Sequence, residues 1–346
     1  MRLLFSHSLS KYLFVTVLLF FIIGCGPIPA RLSTVSGNTM GTTYTVKVVA
    51  AELDLEALNT AVQGSVDQID QLMSNYKVDS ELSLLNRSEL NTYIEISDET
   101  KNVLNLSAKI QLLTKGAFDI SLAPVVDLWG FGPNLADSRV PADSEIAKAL
   151  AKTGMDGLIV SGNLAMRTRE VSLNLSAIAK GYAVDRVAEM LESKGFEHFL
   201  VEVGGELKAR GTNHEREPWR IAIELPDSTK REMFSVIGLQ DLGMATSGDY
   251  RNYFEIGAKR YSHTIDPKTG RPITHNLASV TVLDASTARA DGLATAINVM
   301  GAERGLALAN THNIPIMVIM KEPEGFVAKT SAAFDEYLLS QQNSAH

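Results

Sequence analysis

The segment 287–296 reads Thr287-Ala288-Arg289-Ala290-Asp291-Gly292-Leu293-Ala294-Thr295-Ala296 and predicts a helix of small, mostly apolar residues. Asp291 and Thr295 are four positions apart, so they share one face of that helix. A carboxylate beside a hydroxyl offers hard oxygen ligands, which Mg²⁺ accepts while it keeps waters and substrate phosphates. The pair alone also fits a structural role, with the Asp favoured by the helix dipole and the Thr bonded to its own backbone.

The segments around this helix predict a mixed fold. Apolar residues at helical spacing predict further helices over 53–76, 98–114, 144–152, 178–194 and 302–310. Alternating β-branched runs predict strands over 42–49, 198–203, 219–224, 278–283 and 314–319, with more between 158 and 175. The chain lacks strict βαβ alternation and a dinucleotide glycine fingerprint. We therefore expect an α+β domain with mixed or antiparallel sheets and packed helices.

The amino terminus has the pattern of an export signal. Arg2 and Lys11 precede the apolar run 13–23, and Gly24-Cys25 follows it. The apolar run is too short to span a bilayer, and Cys25 stands where bacterial lipoproteins carry their lipid. We predict a lipoprotein signal peptide over 1–24, lipidation at Cys25, a tether over 25–36 and a folded domain over 37–340. The alternative is a plain signal peptide cut near Pro29-Ala30.

Composition limits how this domain is held together and what it binds. The chain has 346 residues, of which 45% are hydrophobic and 21% are charged, so one large core can stabilise it. Cys25 is the only cysteine, and the exported domain therefore has no disulfide. The formal charge of −8 and the absence of a basic run argue against a nucleic-acid partner.

Several segments combine glycine, small polar residues and aromatics where a simple core would not need them. Singly, each fits a tight turn or a packing lid. The most specific of them are Met40-Gly41-Thr42, Ala117-Phe118-Asp119, Ala179-Lys180-Gly181-Tyr182-Ala183, Val203-Gly204-Gly205-Glu206, His263-Thr264-Ile265-Asp266-Pro267-Lys268-Thr269-Gly270 and Ala290-Asp291-Gly292-Leu293-Ala294-Thr295. Together and in this order they resemble the ApbE family of FAD:protein FMN transferases, from Asn38 to about Gly301.

The resemblance implies a reaction in which FMN passes from FAD to a Thr or Ser hydroxyl of an acceptor protein, with release of AMP. Breaking a pyrophosphate requires charge neutralisation and in-line positioning more than covalent work by the protein. The family's Mg²⁺ ligands fall here on Asp291, Thr295 and the backbone carbonyl of Ala177. We predict His263 as the base that deprotonates the acceptor, since imidazole titrates near neutral pH. The alternative for His263 is a structural hydrogen bond within a strand.

The resemblance also implies a set of FAD-binding residues. Tyr76 and Phe118 offer rings for stacking, and Asp119 offers an acceptor for ribose or adenine donors. Asn174 stands where many members have Asp, so it can hydrogen-bond FAD but adds no negative charge. Lys180 fits either a phosphate contact or a solvated helix residue. The full predicted set is Met40, Tyr76, Ala117, Phe118, Asp119, Asn174, Lys180 and Ile265.

Three functions are consistent with these residues. The first is a lipid-anchored transferase on the periplasmic side of the inner membrane. Its acceptors would be subunits of sodium-pumping quinone reductase or Rnf-type complexes, carrying the signature Asp-x-(Ser/Thr)-Gly-(Ala/Ser)-Thr. The second is Mg²⁺-dependent hydrolysis of FAD to FMN and AMP, and the third is a flavin-binding lipoprotein without turnover. Asp291, Thr295 and His263 together argue against a pure binder, whereas nothing in the chain separates transferase from hydrolase.

Overall fold

The computed structural model describes residues 30–133, 139–227, 232–248, 253–257 and 259–343. Helices α1 to α9 span Leu55–Met73, Glu81–Arg87, Asp98–Leu113, Ala123–Leu128, Asp143–Leu150, Ala179–Ser193, Thr287–Met300, Ala302–Thr311 and Ala332–Asn343. Strands β1 to β9 span Arg31–Thr39, Thr42–Ala50, Ile94–Glu95, Leu158–Ser161, Leu164–Arg167, Phe199–Val203, Glu206–Arg210, Trp219–Glu224 and Met233–Leu239. Strands β10 to β17 span Gly243–Gly248, Tyr253–Ile256, Lys259–Ser262, Ile265–Asp266, Arg271–Pro272, Leu277–Asp284, Ile316–Glu322 and Gly325–Thr330.

Eight strands form one antiparallel sheet in the order β1-β2-β6-β7-β10-β15-β16-β17. Met40-Gly41 is the two-residue turn that joins β1 to β2, and Thr39 pairs with Thr42 across it. Met40 and Gly41 have φ values of 49° and 72°, as a type I′ hairpin requires. Smaller antiparallel sheets, β3-β5-β4, β8-β9, β11-β12 and β13-β14, lie outside the large one.

Both faces of the large sheet are covered, because alternate residues of its strands point to opposite sides. On one face, Val46 and Val201 pack against α1 and α6, and Val280 packs with residues of α7 and α8. On the other face, Leu207 and Ile319 pack with the β8-β9 hairpin and α9. This double coverage explains why seven consecutive residues of β15, from 277 to 283, are buried.

Helix α7 contains the 287–296 segment and lies against the middle of the sheet. Eleven of its 14 residues are buried, and it packs on β10 and β15 and against α3 and α6. Glycines allow this close approach. A Cβ at Gly181 of α6 would lie 2.4 Å from the Thr287 carbonyl oxygen, and one at Gly243 of β10 would lie 2.4 Å from Thr287 Oγ1. The small residues of α7 and its neighbours therefore set how tightly the helix packs.

The predicted α+β class is confirmed, and the helices and strands named above from periodicity begin and end within about three residues of the observed ones. Two expectations need correction. Residues 31–36, predicted as tether, belong to β1 and pair with β2 from Arg31 onward, so the folded part begins before residue 37. The region 158–175, predicted to contain strands, forms β4 and β5 but no strand after residue 167, where Ser172 makes only an isolated bridge to Leu122.

The amino-terminal predictions fall outside the part of the chain that the structure describes. These are the signal peptide over 1–24, the lipidated Cys25 and the first residues of the tether up to 29. Among the described residues, none of the helices is both long and apolar enough to cross a membrane.

Two Gly-to-Ala substitutions should change stability in opposite directions, one at the contact of α6 with α7 and one on the exposed side of α1. We expect Gly181→Ala to lower the free energy of unfolding by about 2–3 kcal/mol, because the added methyl group collides with the Thr287 carbonyl. Gly64 lies exposed in α1 with nothing within 4 Å of its ideal Cβ. Gly64→Ala should therefore raise stability by roughly 1 kcal/mol through helix propensity. Circular dichroism melts measure both, and equal effects would contradict the proposed contact.

Candidate active site

A cavity of about 390 Å³ lies where α6, α7 and the loops before α4 and β13 meet. Separated parts of the chain contribute to its wall, from the end of α1 to the last turns of α7. The cavity brings together eleven of the residues predicted from sequence. These are Tyr76, Ala117, Phe118, Asp119, Asn174, Ala177, Lys180, His263, Ile265, Asp291 and Thr295.

Met40 is the predicted FAD-binding residue that the structure does not place on this cavity. It forms the β1-β2 turn at positive φ, and its partly buried side chain packs against the main core cluster. The motif Met40-Gly41-Thr42 therefore has a structural explanation, because Gly41 also has positive φ and the turn connects the edge strand β1 to its neighbour β2.

The metal-ligand set predicted from sequence meets at one side of the cavity. Asp291 is only 5% exposed, and its Oδ2 accepts a hydrogen bond from the backbone N–H of Gly181 at 3.1 Å. Gly181 is the third residue of α6, so its N–H is one of the four at a helix start that have no carbonyl partner within the helix. Within the described residues, the Ala177 carbonyl receives no backbone hydrogen bond. Asp291 therefore satisfies an otherwise unpaired N–H of α6, and the Ala177 carbonyl, which precedes the helix, stays available on the same cavity.

These groups fit a magnesium ion. The described residues contain no cluster of three or more His, Cys, Asp or Glu side chains that could hold a metal by themselves. Mg²⁺ needs no such cluster, since it is commonly bound by one or two carboxylates together with waters and substrate phosphates. Burial raises the pKa of Asp291, and Lys180 opposes that shift. A buried carboxylate with a raised pKa has much to gain from a cation, and Thr295 adds a hydroxyl one turn away.

Lys180 and Glu206 form an ion pair on the cavity wall, with Lys180 Nζ 2.6 Å from Glu206 Oε2. The Glu206 side chain is 4% exposed. Burial opposes the charge of Lys180, but Glu206 and then Asp291 outweigh it and raise the pKa of this lysine. Burial, with Asp291 adding to it, also raises the pKa of Glu206. Lys180 is thus a cavity cation and not a solvated helix residue, and Glu206, to which sequence reasoning gave no role, is its partner.

The residues predicted to contact FAD differ in how much surface they offer. Tyr76 is 68% exposed at the edge of the cavity, so much of its ring surface remains available for stacking. Phe118 is 2% exposed and belongs to the core cluster, which leaves it little surface for a flavin or adenine ring. We therefore assign the stacking role to Tyr76, and we assign Phe118 to support of the wall.

Asp119 and Asn174 shape the loops of the cavity through their own side chains. Asp119 Oδ1 accepts hydrogen bonds from Ser121 N and Oγ, at 2.8 and 2.6 Å, and its Oδ2 accepts one from Gln111. Asn174 Oδ1 accepts the Ser176 N–H at 2.9 Å. Oδ1 already accepts two bonds, whereas Oδ2 accepts the one from Gln111 and keeps a second lone pair, so Asp119 can still accept from a ligand through Oδ2. The side-chain nitrogen of Asn174, Nδ2, donates to no described residue.

His263 lies on the cavity wall beside an aromatic cluster. Its ring meets that of Phe131 edge to face, with centroids 6.3 Å apart. Phe131 stacks on Phe254, which in turn stacks on Tyr261. Asn298 of α7 is fully buried and donates to Thr264 Oγ1 at 3.4 Å, which ties the residue after His263 to the helix of Asp291. Sequence reasoning missed Asn298 because a buried amide within an apolar helix resembles core composition.

The similarity to known proteins covers nearly the whole chain. A model of the ApbE family matches residues 40–319. The FAD:protein FMN transferase of Vibrio cholerae serotype O1 is 42% identical over 333 residues, which are 95% of this chain and 99% of that protein. This chain belongs to the ApbE family. The Haemophilus influenzae FAD:protein FMN transferase is also 42% identical, over 88% of this chain and 91% of that protein.

Solved structures of the ApbE family share this fold. The flavin transferase ApbE from Vibrio cholerae has a TM-score of 0.83 and 41% identity, and the match covers 89% of this chain and 99% of that one. The apo form of the Pseudomonas stutzeri flavinyl transferase ApbE also has a TM-score of 0.83, with 40% identity over 89% of this chain and 97% of that one.

A second carboxylate fixes the position of α7 in this ApbE-family protein. Asp185 lies four residues after Gly181 on α6, and its carboxylate accepts from the N–H groups of Thr287 and Ala288 at 2.9 and 3.0 Å. Ser286 Oγ donates to it at 2.8 Å, and Lys208 Nζ lies 3.0 Å away. Asp185 therefore satisfies two N–H groups at the start of α7 and complements the helix dipole. One face of α6 thus contacts α7 at two places, the first turn of α7 and Asp291.

The Asp185 network predicts an asymmetric response to Asp-to-Asn substitution. We expect Asp185→Asn to lower the free energy of unfolding by about 3 kcal/mol, because it removes a buried charge from four donors, Lys208 among them. Asp54 is the matched control, since it caps the exposed start of α1 through one bond to Ala57 N at 3.0 Å. Asn caps helices as well as Asp, so Asp54→Asn should change stability by less than about 0.5 kcal/mol. Thermal unfolding of both variants decides the matter.

Proposed function

We propose that this chain is a Mg²⁺-dependent FAD:protein FMN transferase, which moves FMN from FAD to a Thr or Ser hydroxyl of an acceptor protein. The observation that carries the proposal is a cavity lined by the buried Asp291 carboxylate, by Lys180 and His263, and by Ala177, whose carbonyl accepts no bond from a described backbone N–H. Relatives over 40% identical that carry the name FAD:protein FMN transferase support it.

The proposed reaction breaks one P–O bond and forms another. The acceptor hydroxyl oxygen attacks the phosphorus on the FMN side of the pyrophosphate, and the bond from that phosphorus to the bridging oxygen breaks. AMP leaves with the bridging oxygen, and the acceptor keeps FMN as a phosphoester. The hydroxyl proton passes to His263, whose imidazole is the candidate base on the cavity wall.

The chain's own residues hold the dinucleotide for this step. Lys180 supplies a positive charge for the pyrophosphate, and Glu206 keeps its ammonium group at the cavity wall. Tyr76 offers the exposed ring on which a base or flavin can stack. Asp291, Thr295 and the Ala177 carbonyl would hold Mg²⁺, which when bound neutralises charge on the two phosphates.

The proposed acceptor displays the signature Asp-x-(Ser/Thr)-Gly-(Ala/Ser)-Thr, as in subunits of sodium-pumping quinone reductase or Rnf-type complexes. Incubating the full-length protein with FAD, Mg²⁺ and such an acceptor, followed by intact-mass analysis, tests the proposal. We expect the acceptor to gain the mass of FMN in a reaction that EDTA abolishes. Accumulation of FMN and AMP with an unmodified acceptor would indicate hydrolysis instead, and unchanged FAD would indicate a binding protein.

Two substitutions in the cavity should separate metal binding from proton transfer. Asp291→Ala should abolish transfer at ordinary Mg²⁺ concentrations, because it removes the only carboxylate of the ligand set. His263→Gln should lower kcat by roughly 10²- to 10⁴-fold while FAD affinity, measured by fluorescence titration, stays near that of the wild type. Full activity of Asp291→Ala would refute the metal assignment, and an unchanged kcat in His263→Gln would refute the base.

We also propose that Cys25 anchors the protein by lipid to the periplasmic side of the inner membrane. Support comes from the sequence, where basic residues and an apolar run end at Gly24-Cys25 and no other cysteine occurs. Wild-type protein should incorporate labelled palmitate and sediment with inner membranes. Cys25→Ser should do neither, and a variant that still incorporated palmitate would place the lipid elsewhere.

A further inference from the structure

A second depression adjoins the active-site cavity. It has a volume of about 400 Å³ and lies between the ends of α3 and α7, helix α8 and the turn from β13 to β14. Ala117 and Val299 line both this depression and the active-site cavity, so the two adjoin there. Much of the lining is apolar and includes Leu308. We refer to this depression, bordered by Lys115, Lys268 and Arg304, as the basic groove.

The cations of the basic groove differ from many others on the described surface in their ion pairing. Lys115, Lys268 and Arg304 are exposed, and none of them forms an ion pair with another described residue. Asp266 also lines the groove, but its carboxylate accepts the backbone N–H of Lys268 at 2.9 Å within the turn. Many cations elsewhere on the described surface are paired with carboxylates, among them Lys77, Lys101, Lys152, Arg169 and Arg186.

This arrangement is unusual on a chain with a formal charge of −8. The net negative charge of the protein would repel an acidic partner. The basic groove would attract it, because the three cations there form no ion pair with a described residue. The dinucleotide does not account for these three cations, because the active-site cavity has its own phosphate-binding groups in Lys180 and the Asp291 ligand set. The position of the groove, beside the segment that carries His263, fits the second substrate of the reaction.

We propose that the basic groove binds the acceptor polypeptide, through acidic side chains that flank the acceptor hydroxyl. This proposal rests on the proposed transferase function and adds to it where the acceptor lies and which charge it carries. A segment seated between Lys115, Lys268 and Arg304 reaches the active-site cavity past Ala117 and Val299. The apolar lining accommodates the backbone of the segment and the apolar parts of its side chains, and the three cations favour a negatively charged segment.

Direct binding of two peptides tests the groove without any need for turnover. Both fluorescein-labelled peptides carry the same acceptor signature, and it is flanked by glutamates in one and by glutamines in the other. At low salt we expect the full-length wild-type protein to bind the glutamate peptide at least about tenfold more tightly, with the preference falling as salt rises. Lys115→Glu/Lys268→Glu should abolish this preference, measured as Kd by fluorescence anisotropy.

Lys109→Glu is the matched control, since Lys109 is an exposed lysine of helix α3, which ends just before Lys115, and it does not line the groove. It should keep the preference for the glutamate peptide. Equal binding of the two peptides by the wild type would overturn the proposal. So would a double variant that binds like the wild type, or one that loses affinity for FAD instead of the peptide. Binding without FMN transfer would leave the groove assignment standing and refute the transferase function.

Discussion

The contact between Gly181 of α6 and Asp291 of α7 is the constraint on which the rest of the site depends. Gly181 has no side chain, so the helices approach until its N–H lies 3.1 Å from Asp291 Oδ2. That bond holds the carboxylate in place and satisfies an N–H at the start of α6, close in sequence to the Ala177 carbonyl, which accepts no bond from a described backbone N–H. Asp185, on the same face of α6, fixes the start of α7 and hence its register.

The cavity concentrates charge that protein interiors ordinarily exclude. Asp291, Glu206 and Lys180 together have two negative charges and one positive charge when all are ionised, so one negative charge is unbalanced. Burial raises the pKa of both carboxyl groups, because the surrounding protein solvates their charges poorly. Perturbed groups of this kind gather at functional sites, where a bound cation or substrate supplies the missing partner.

Much of the fold could be predicted from local pattern. Helix α1 has buried residues at Leu58, Val62, Val66, Ile69 and Met73, a spacing that the sequence shows directly. Strand β10 could not be predicted, because Gly243-Met244-Ala245-Thr246-Ser247-Gly248 lacks apolar alternation and is held by its neighbours in the sheet. For the site, the family resemblance identified eleven cavity residues, but it could not distinguish the exposed ring of Tyr76 from the buried ring of Phe118.

The sequence by itself determined the α+β class, the small residues that let α7 pack closely, and the pairing of Asp291 with Thr295 on one helical face. These features follow from the spacing of apolar residues and from side-chain volumes, both of which can be read from residues a few positions apart. Only the tertiary structure decided that Gly181 meets Asp291, that Glu206 holds Lys180 and that three cations without an ion-pair partner among the described residues border a groove beside the cavity. Gly181 and Asp291 are 110 residues apart, and no local pattern encodes contacts over such separations, because the packing of whole helices and strands creates them.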